Sequence, residues 1–522
     1  MRLSNEKAWT SRRVDRAVVV LVAVHLAIAL WLGSWLSVWQ DEGFTLDTTG
    51  AGPLHALHQA LSFEMQPPLY FVLLSIWRLA DSSYWFARAF SALCTAAALL
   101  LTPRLAGWIP NARIRLALVA WLAVHPFVLW HGSDARVYGL VLFEAAAAML
   151  LFDRAFLRPA SSRAAHIGMI AVMACGIYTH YYFGFLIPAL GTVLLLRDRG
   201  RLLSFLADTG LVAVFCLPLV FVVPSQIAAG HALASERAGI FQATTELWWR
   251  LESYVLPASP SMLAFSWLAR TRDIVWKVLA LGTAFVLIRR RFYRQEGSGR
   301  LLLVTAVLLI EFIILRFATQ PELFASRHTT MLFIPLLATS VVLGAGAHAR
   351  LSRILLALLL SITVMASWTQ FSSGTKSSDD WRKVARFLET HESPGEPVLV
   401  FHGDRVLALR EHYHGFNALV PLPRPLRLDE HWLENSAIHD EREIEQAFEE
   451  YSPQGRAWLL TAGPRVYLGV KSGDEILADW VTRRCITYLD EHAGGVRIQL
   501  LERQPWPAQV RTQSVPETVP TP

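Results

Sequence analysis

Long apolar runs alternate with short basic clusters from residue 17 to residue 371. Residues 301–310, 329–347 and 354–371 contain no Asp, Glu, Lys or Arg. A membrane-crossing helix needs about 17 to 25 mostly apolar residues. On that criterion spans are predicted near 17–38, 85–103, 116–131, 137–153, 164–179, 181–196, 203–223, 274–288, 300–318, 328–347 and 354–371, about eleven in all. Residues 164–196 form one uncharged run, too long for a single crossing and Arg-rich at both ends, so it is read as a hairpin turning near His180-Tyr181-Tyr182. Residues 67–80 are apolar but too short to span. They are read as a re-entrant or interfacial helix with Pro67 and Pro68 at its start.

The basic clusters set the orientation. Those at 2–16, 104–115, 154–163, 197–201, 289–300 and 350–353 together hold 21 Arg and Lys residues, and the opposite side, up to residue 327, holds about nine. The richer side faces the cytoplasm. Residues 1–16 are then a cytoplasmic N-terminus and 17–372 a transmembrane domain. Its first outer loop is 39–84, and its large outer loop, 224–273, carries Trp248, Trp249 and Trp267. Such aromatics favour short interfacial helices.

Composition agrees. The 522 residues are 53% hydrophobic and 17% charged, against about 25% charged in soluble domains. The net charge of +6 is accounted for by the topological clusters and points to no nucleic acid. Cys94, Cys175 and Cys216 lie in apolar runs, so no disulfide framework is expected. The first run is too long for a signal-peptide core and no small-residue cleavage site follows it, which makes it an uncleaved anchor.

The pattern changes after residue 375. An amphipathic helix is predicted at 381–391, then strands and helices in alternation: strand 395–401, helix 405–414, strand 417–422, helix 440–451, strand 456–462, helix 474–484, and closing strands 486–490 and 496–502. Alternation of this kind gives an α/β domain, here 376–504 and extracytoplasmic by parity. Residues 505–522 are rich in Pro, Thr and Gln and are expected to be disordered.

Candidate chemistry collects on the outer side. Asp41 and Glu42 end the first span. Glu64 precedes Pro67 and Pro68, and Arg88 opens the second span. His131, Asp134, Arg136 and Tyr138 mark an outer turn, His180 and Tyr181 the next, and Arg327 and His328 open a late span. Within spans, His25, His125, Glu144 and Glu311 are ionisable; Glu144 is placed to support Arg136, and Glu311 to pair with Arg316 or stay neutral. In the C-terminal domain, His402-Gly403-Asp404 follows a strand and reads as a turn.

The order of these motifs resembles the lipid-dependent GT-C glycosyltransferases, in particular the protein O-mannosyltransferase and aminoarabinose-transferase-like branch. The resemblance rests on the Asp-Glu pair after the first span, Pro-Pro-Leu-Tyr, an Arg opening the next span, Ser-Asp-Ala-Arg-Val-Tyr and the late Arg-His. It covers residues 17–372. Glu64-Met65-Gln66 stands where the family often has Asp-x-His. The resemblance implies a polytopic α-helical membrane protein of bacterial inner-membrane type that takes a sugar from a polyprenyl-phosphate donor. The acceptor is then an extracytoplasmic glycan, lipid such as lipopolysaccharide, or protein. It implies Asp41 as general base, with Glu42 beside it. Arg88, Arg136 and Arg327 are suited to the leaving phosphate. His131, Asp134, Tyr138, His180, Tyr181, His328 and Glu64 complete the expected substrate-binding set. No cofactor is specified. A divalent cation held by the acidic pair and a His is one alternative. A transporter or flippase, or a polymerase or ligase for lipid-linked glycans, are the competing functions.

Overall fold

The computed structural model describes residues 2–504 apart from 233–239, 291–295, 319–325, 346–348, 430–431, 453–454, 464–465 and 468–469. The tail expected to be disordered, 505–522, lies outside the described residues. The chain divides into two compact units between Ser377 and Ser378.

The first unit is helical, and each predicted apolar run falls on a helix. Among the described residues five helices are long and apolar enough to cross a membrane, Val14–Trp35, Tyr84–Arg104, Arg199–Phe221, Gly297–Phe317 and Arg353–Phe371, and a sixth span is added if the bent pair Ala112–Val124 and Pro126–Gly132 is one crossing. Arg163–Thr179, Tyr181–Arg197 and Thr330–Ala345 are apolar but shorter. The sequence figure of about eleven therefore exceeds the number that meets both criteria among the described residues.

One run departs from its expected form. The span placed at 116–131 is two helices, Ala112–Val124 and Pro126–Gly132, bent by 60°. The cause is local. Pro126 lacks an N–H and disfavours helical backbone at the residue before it, and His125 is accordingly extended, with ψ 129. The His125 ring then caps the second helix, its Nδ1 accepting from Phe127 N at 3.1 Å, while Nε2 lies 2.9 Å from Tyr254 O. A residue that looked like an intramembrane charge is thus a bridge at a break. His25 has a similar role. Its Nδ1 lies 2.9 Å from Ala123 O and its Nε2 2.9 Å from Thr95 Oγ1, which ties three helices at one level.

Packing around the bend is close. A Cβ on Gly139 would sit 3.1 Å from both His131 O and Ser91 O, so any larger residue would push the Tyr138–Phe152 helix a few tenths of an ångström from the Tyr84–Leu101 helix there. The bundle core is apolar and includes Trp108, Trp121, Phe152 and Phe333, in line with the burial preferences of such residues.

Residues 39–84 fold as three short helices, Gln40–Thr48, Pro53–Ser62 and Leu69–Trp77. The last follows Pro67 and Pro68, with Pro68 as its N-cap. Residues 224–273 likewise hold short helices, Ile240–Val255 and Pro260–Leu263. Arg316 does not pair with Glu311. It is fully buried and forms an ion pair with Glu246 of the Ile240–Val255 helix. Glu144 accepts from Thr179 Oγ1 at 2.9 Å.

The second unit is a mixed five-stranded sheet in the spatial order Leu419–Pro421, Val398–Phe401, Arg456–Thr461, Val496–Arg503, Cys485–Ala493. The first three strands are parallel and the last two join antiparallel. Parallel neighbours need crossover connections, and the Val406–Arg410 and Glu441–Tyr451 helices lie in those connections. Val398–Phe401 is buried at every position, as a strand covered on both faces should be. Its core gathers Leu399, Phe401, Phe448, Leu459, Leu477 and Trp480. The turn at His402-Gly403-Asp404 is the start of a short 3-10 helix, Gly403–Arg405.

Candidate active site

Asp41 and Glu42 are neighbours in sequence with different surroundings. They lie in the first turn of the Gln40–Thr48 helix, where successive side chains point about 100° apart. Glu42 turns inward and is fully buried; Asp41 is half-buried.

Glu42 meets Arg88. Arg88 Nε donates to Glu42 Oε1 at 2.6 Å and Nη2 to Oε2 at 2.5 Å. The rest of the guanidinium faces the end of the first long helix. Nη1 donates to Gly33 O at 2.6 Å and Leu36 O at 2.7 Å, and Nη2 to Ser37 O at 3.2 Å. A guanidinium has five N–H donors, and these five bonds commit all of them. Arg88 therefore has no donor left for a phosphate. It caps a helix C-terminus, where cations are favoured, and neutralises Glu42. Glu42 Oε1 also accepts from Ala135 N at 3.0 Å. Burial works to raise the Glu42 carboxyl, but the Arg88 charge and its hydrogen bonds, with Lys376 and the Ala135 N–H, outweigh it and hold it below the usual range.

Arg136 gathers the other half. Its Nη1 donates to Asp41 O at 3.0 Å and Thr45 Oγ1 at 2.6 Å, and forms an ion pair with Glu64 Oε2 at 3.1 Å. Its Nε is buried and makes no hydrogen bond among the described residues. Glu64 is turned toward this partner at the entry to the Leu69–Trp77 helix, next to Met65, which has φ +50. A left-handed non-glycine residue costs of order 1 kcal/mol or more and persists where surroundings over-determine it. The burial of Glu64 raises its carboxyl; Arg136 pulls it down and Asp41 adds to the rise, so the net direction is upward. The sign is then fixed. The folded state holds the Glu64 proton more tightly than the unfolded chain, so the stability from this group is present at low pH and declines as pH climbs above the ordinary 4.5 through the raised value. Glu64→Gln should flatten that slope. Thermal unfolding of the detergent-solubilised protein from about pH 4 to pH 8 checks it, and an unchanged slope contradicts the placement of Glu64.

The turn between these partners is gripped at each residue. Asp134 Oδ1 accepts from Trp39 Nε1 at 2.9 Å and lies 3.4 Å from Lys376 Nζ. Lys376 Nζ donates to Ser133 O at 2.6 Å. Burial raises the Asp134 carboxyl, with the Lys376 charge opposing.

A second set forms an aromatic line. His131 packs on Tyr138 with ring centroids 4.9 Å apart, and Tyr138 on His180 at 5.9 Å. His180 Nε2 lies 3.2 Å from His328 Nδ1, and Tyr182 packs against both rings. Tyr181 turns elsewhere: its hydroxyl donates to Gln226 Oε1 at 2.7 Å, and Gln226 Nε2 to Leu61 O at 2.8 Å. Arg327 lies in the 3-10 turn Ser326–Thr329, and its side chain falls outside the described residues. Two residues of the site escaped sequence reasoning. Thr45 carried no signal. Lys376 carried a faint one, as the lone cation between the last apolar run and the second unit. Among the described residues no group of three His, Cys, Asp or Glu side chains is placed to hold a metal ion.

No protein-family model matches the chain, and no curated protein matches it. Solved structures do. The apo structure of ArnT from Cupriavidus metallidurans is 11% identical with a TM-score of 0.59, covering 92% of this chain and 97% of that one. The same protein bound to undecaprenyl phosphate is 14% identical with a TM-score of 0.56 and the same coverage. An oligosaccharyltransferase from Archaeoglobus fulgidus in the apo form is 10% identical, with a TM-score of 0.46 and 85% and 69% coverage. At these identities the likeness to ArnT shows the fold alone: this chain shares the fold of ArnT over 92% of its length.

Proposed function

We propose that this chain is an integral-membrane glycosyltransferase that moves a sugar from a polyprenyl-phosphate donor to an extracytoplasmic acceptor, with Asp41 as general base. The acceptor class is a cell-envelope glycan, a lipid such as lipopolysaccharide, or a protein. The observation that carries the reading is the division of labour within the acidic pair. Glu42 is neutralised by Arg88 and closed to solvent, whereas Asp41 is only half-buried, with its main-chain carbonyl accepting from Arg136. The fold shared with ArnT, one of whose structures holds undecaprenyl phosphate, supports the donor class.

In the proposed step the acceptor hydroxyl attacks the anomeric carbon and Asp41 takes its proton. The bond from that carbon to the phosphate oxygen breaks, and the lipid phosphate leaves with the electron pair. A single displacement of this kind inverts the anomeric centre. The leaving phosphate needs positive charge rather than an acid, and buried donors aimed at developing charge are the strongest catalytic device of this type. Arg136 supplies one, through its unengaged Nε and by exchanging Glu64 for the phosphate. Arg327 is the second arginine assigned to the phosphate, and the His131–Tyr138–His180–His328 line is assigned to the donor. Arg88 is reassigned from phosphate binding to structure, because its donors are all committed.

Arg136→Ala should weaken undecaprenyl phosphate binding and lower turnover by about 10²- to 10³-fold, the usual loss for one such donor. Titration of the purified variant with undecaprenyl phosphate, beside a turnover assay, checks this. Unchanged affinity and turnover would remove Arg136 from the phosphate site.

A further inference from the structure

Lys376 lies five residues past the end of the Ala349–Phe371 helix. A chain merely leaving a bundle at this point has no need of a buried cation, yet the Lys376 side chain is fully buried. Lysine is almost never buried without a partner, and taking an ammonium out of water is costly. Its partners repay that cost at one place. Nζ donates to Ser133 O at 2.6 Å, lies 3.4 Å from Asp134 Oδ1 and sits 5.6 Å over the Trp130 ring. Two residues earlier Gly374, turned at φ +77, accepts from Ser37 N at 3.0 Å through its carbonyl. Ser37 O is one of the carbonyls that Arg88 caps, four residues before Asp41. The segment thus holds the backbone that leads into Asp41-Glu42 with one hand and the Ser133–Arg136 turn with the other.

We propose that Gly374–Lys376 is a strap fixing the spacing between Asp41 and Arg136, and that Lys376 is a positioning residue for the proposed transfer. It touches neither substrate nor reacting atoms. It acts through the turn: Lys376 holds Ser133 and Asp134, Glu42 holds Ala135, and Arg136 follows with its guanidinium against the Asp41 carbonyl. The proposal rests on the functional reading above, because the spacing matters only if base and phosphate site cooperate across one sugar. A displacement of about 1 Å at such a site costs on the order of 10²-fold in rate.

Lys376→Met alone leaves the Asp134 carboxylate buried without its cation and can fail to fold. The paired variant Asp134→Asn/Lys376→Met removes both charges together, which is often close to neutral for stability. Three readouts on the full-length protein decide the matter. Turnover should fall on the order of 10²-fold in the paired variant. Adding Arg136→Ala to it should cost little more, because residues acting as a unit are not additive; parental turnover, or fully additive losses, would overturn the strap. Hydrogen exchange of the 133–136 amides, Ala135 above all, should be faster in the paired variant and needs no activity. If the parent neither transfers sugar nor binds undecaprenyl phosphate but exchange at 133–136 rises, the functional reading fails and the strap's hold on the turn stands. If exchange there is unchanged, the strap fails whatever the activity.

Discussion

Asp41→Asn should reduce sugar transfer by about 10²- to 10⁴-fold, the range for losing a general base, while the protein remains folded and binds undecaprenyl phosphate as the parent does. Asn has the shape of Asp but cannot take a proton. Asp41 is half-buried, and the hydrogen bonds that Arg136 and Thr45 make to its main-chain carbonyl stay in place in the variant. Removing a carboxylate from the first turn of a helix typically costs about 0.3–1 kcal/mol through the helix dipole. The assay is turnover with a polyprenyl-phosphate sugar, beside thermal unfolding and titration with undecaprenyl phosphate. Full turnover in the variant removes Asp41 as base. Lost turnover together with lost folding leaves the role to be read from Asp41→Glu, which keeps a proton acceptor and should retain part of the activity.

The neighbouring residue should behave in the opposite way. Glu42→Ala or Arg88→Ala should destabilise the bundle by about 3–5 kcal/mol, the range for breaking a buried ion pair from one side. In Arg88→Ala five acceptors lose a donor at once, namely both Glu42 oxygens and the carbonyls of Gly33, Leu36 and Ser37, with Glu42 Oε1 keeping a second one, Ala135 N. Unsatisfied buried groups carry their full desolvation penalty. Thermal midpoint and detergent size-exclusion profile are the measurements. A Glu42→Ala protein with the parental midpoint and no activity would mean that Glu42 belongs to the chemistry and Asp41 does not stand alone. Between them the two substitutions separate adjacent residues by kind of loss: rate for one, folding for the other.

Much of the bundle was legible because hydrocarbon leaves few choices. Uncharged runs become helices, and the Arg clusters mark their ends. The alternation of strand and helix after residue 375 was legible for a similar reason, since buried parallel strands such as Val398–Phe401 read as continuous apolar runs. The break at His125-Pro126 was present in the sequence as a proline, but apolar composition on both sides concealed it. Side-chain partners were not legible. Nothing in the order of residues says that Glu42 faces inward and Asp41 outward, since this depends on where the helix starts and what it packs against. The pairing of Arg316 with Glu246, 70 positions away, rather than with Glu311 five positions away, is likewise decided by a neighbouring helix. Lys376 was the hardest to see, because a single lysine after a span looks like an ordinary interfacial anchor until its burial is known.

The most direct test is mass spectrometry of envelope glycans, lipids and proteins from cells with the gene, without it, and with the Asp41→Asn variant in its place. One envelope molecule should lose the mass of a single sugar residue when the gene is absent, the polyprenyl-phosphate sugar should accumulate, and Asp41→Asn should reproduce both changes. Identical spectra in all three strains, or a variant that restores the sugar in full, would contradict the proposed transfer.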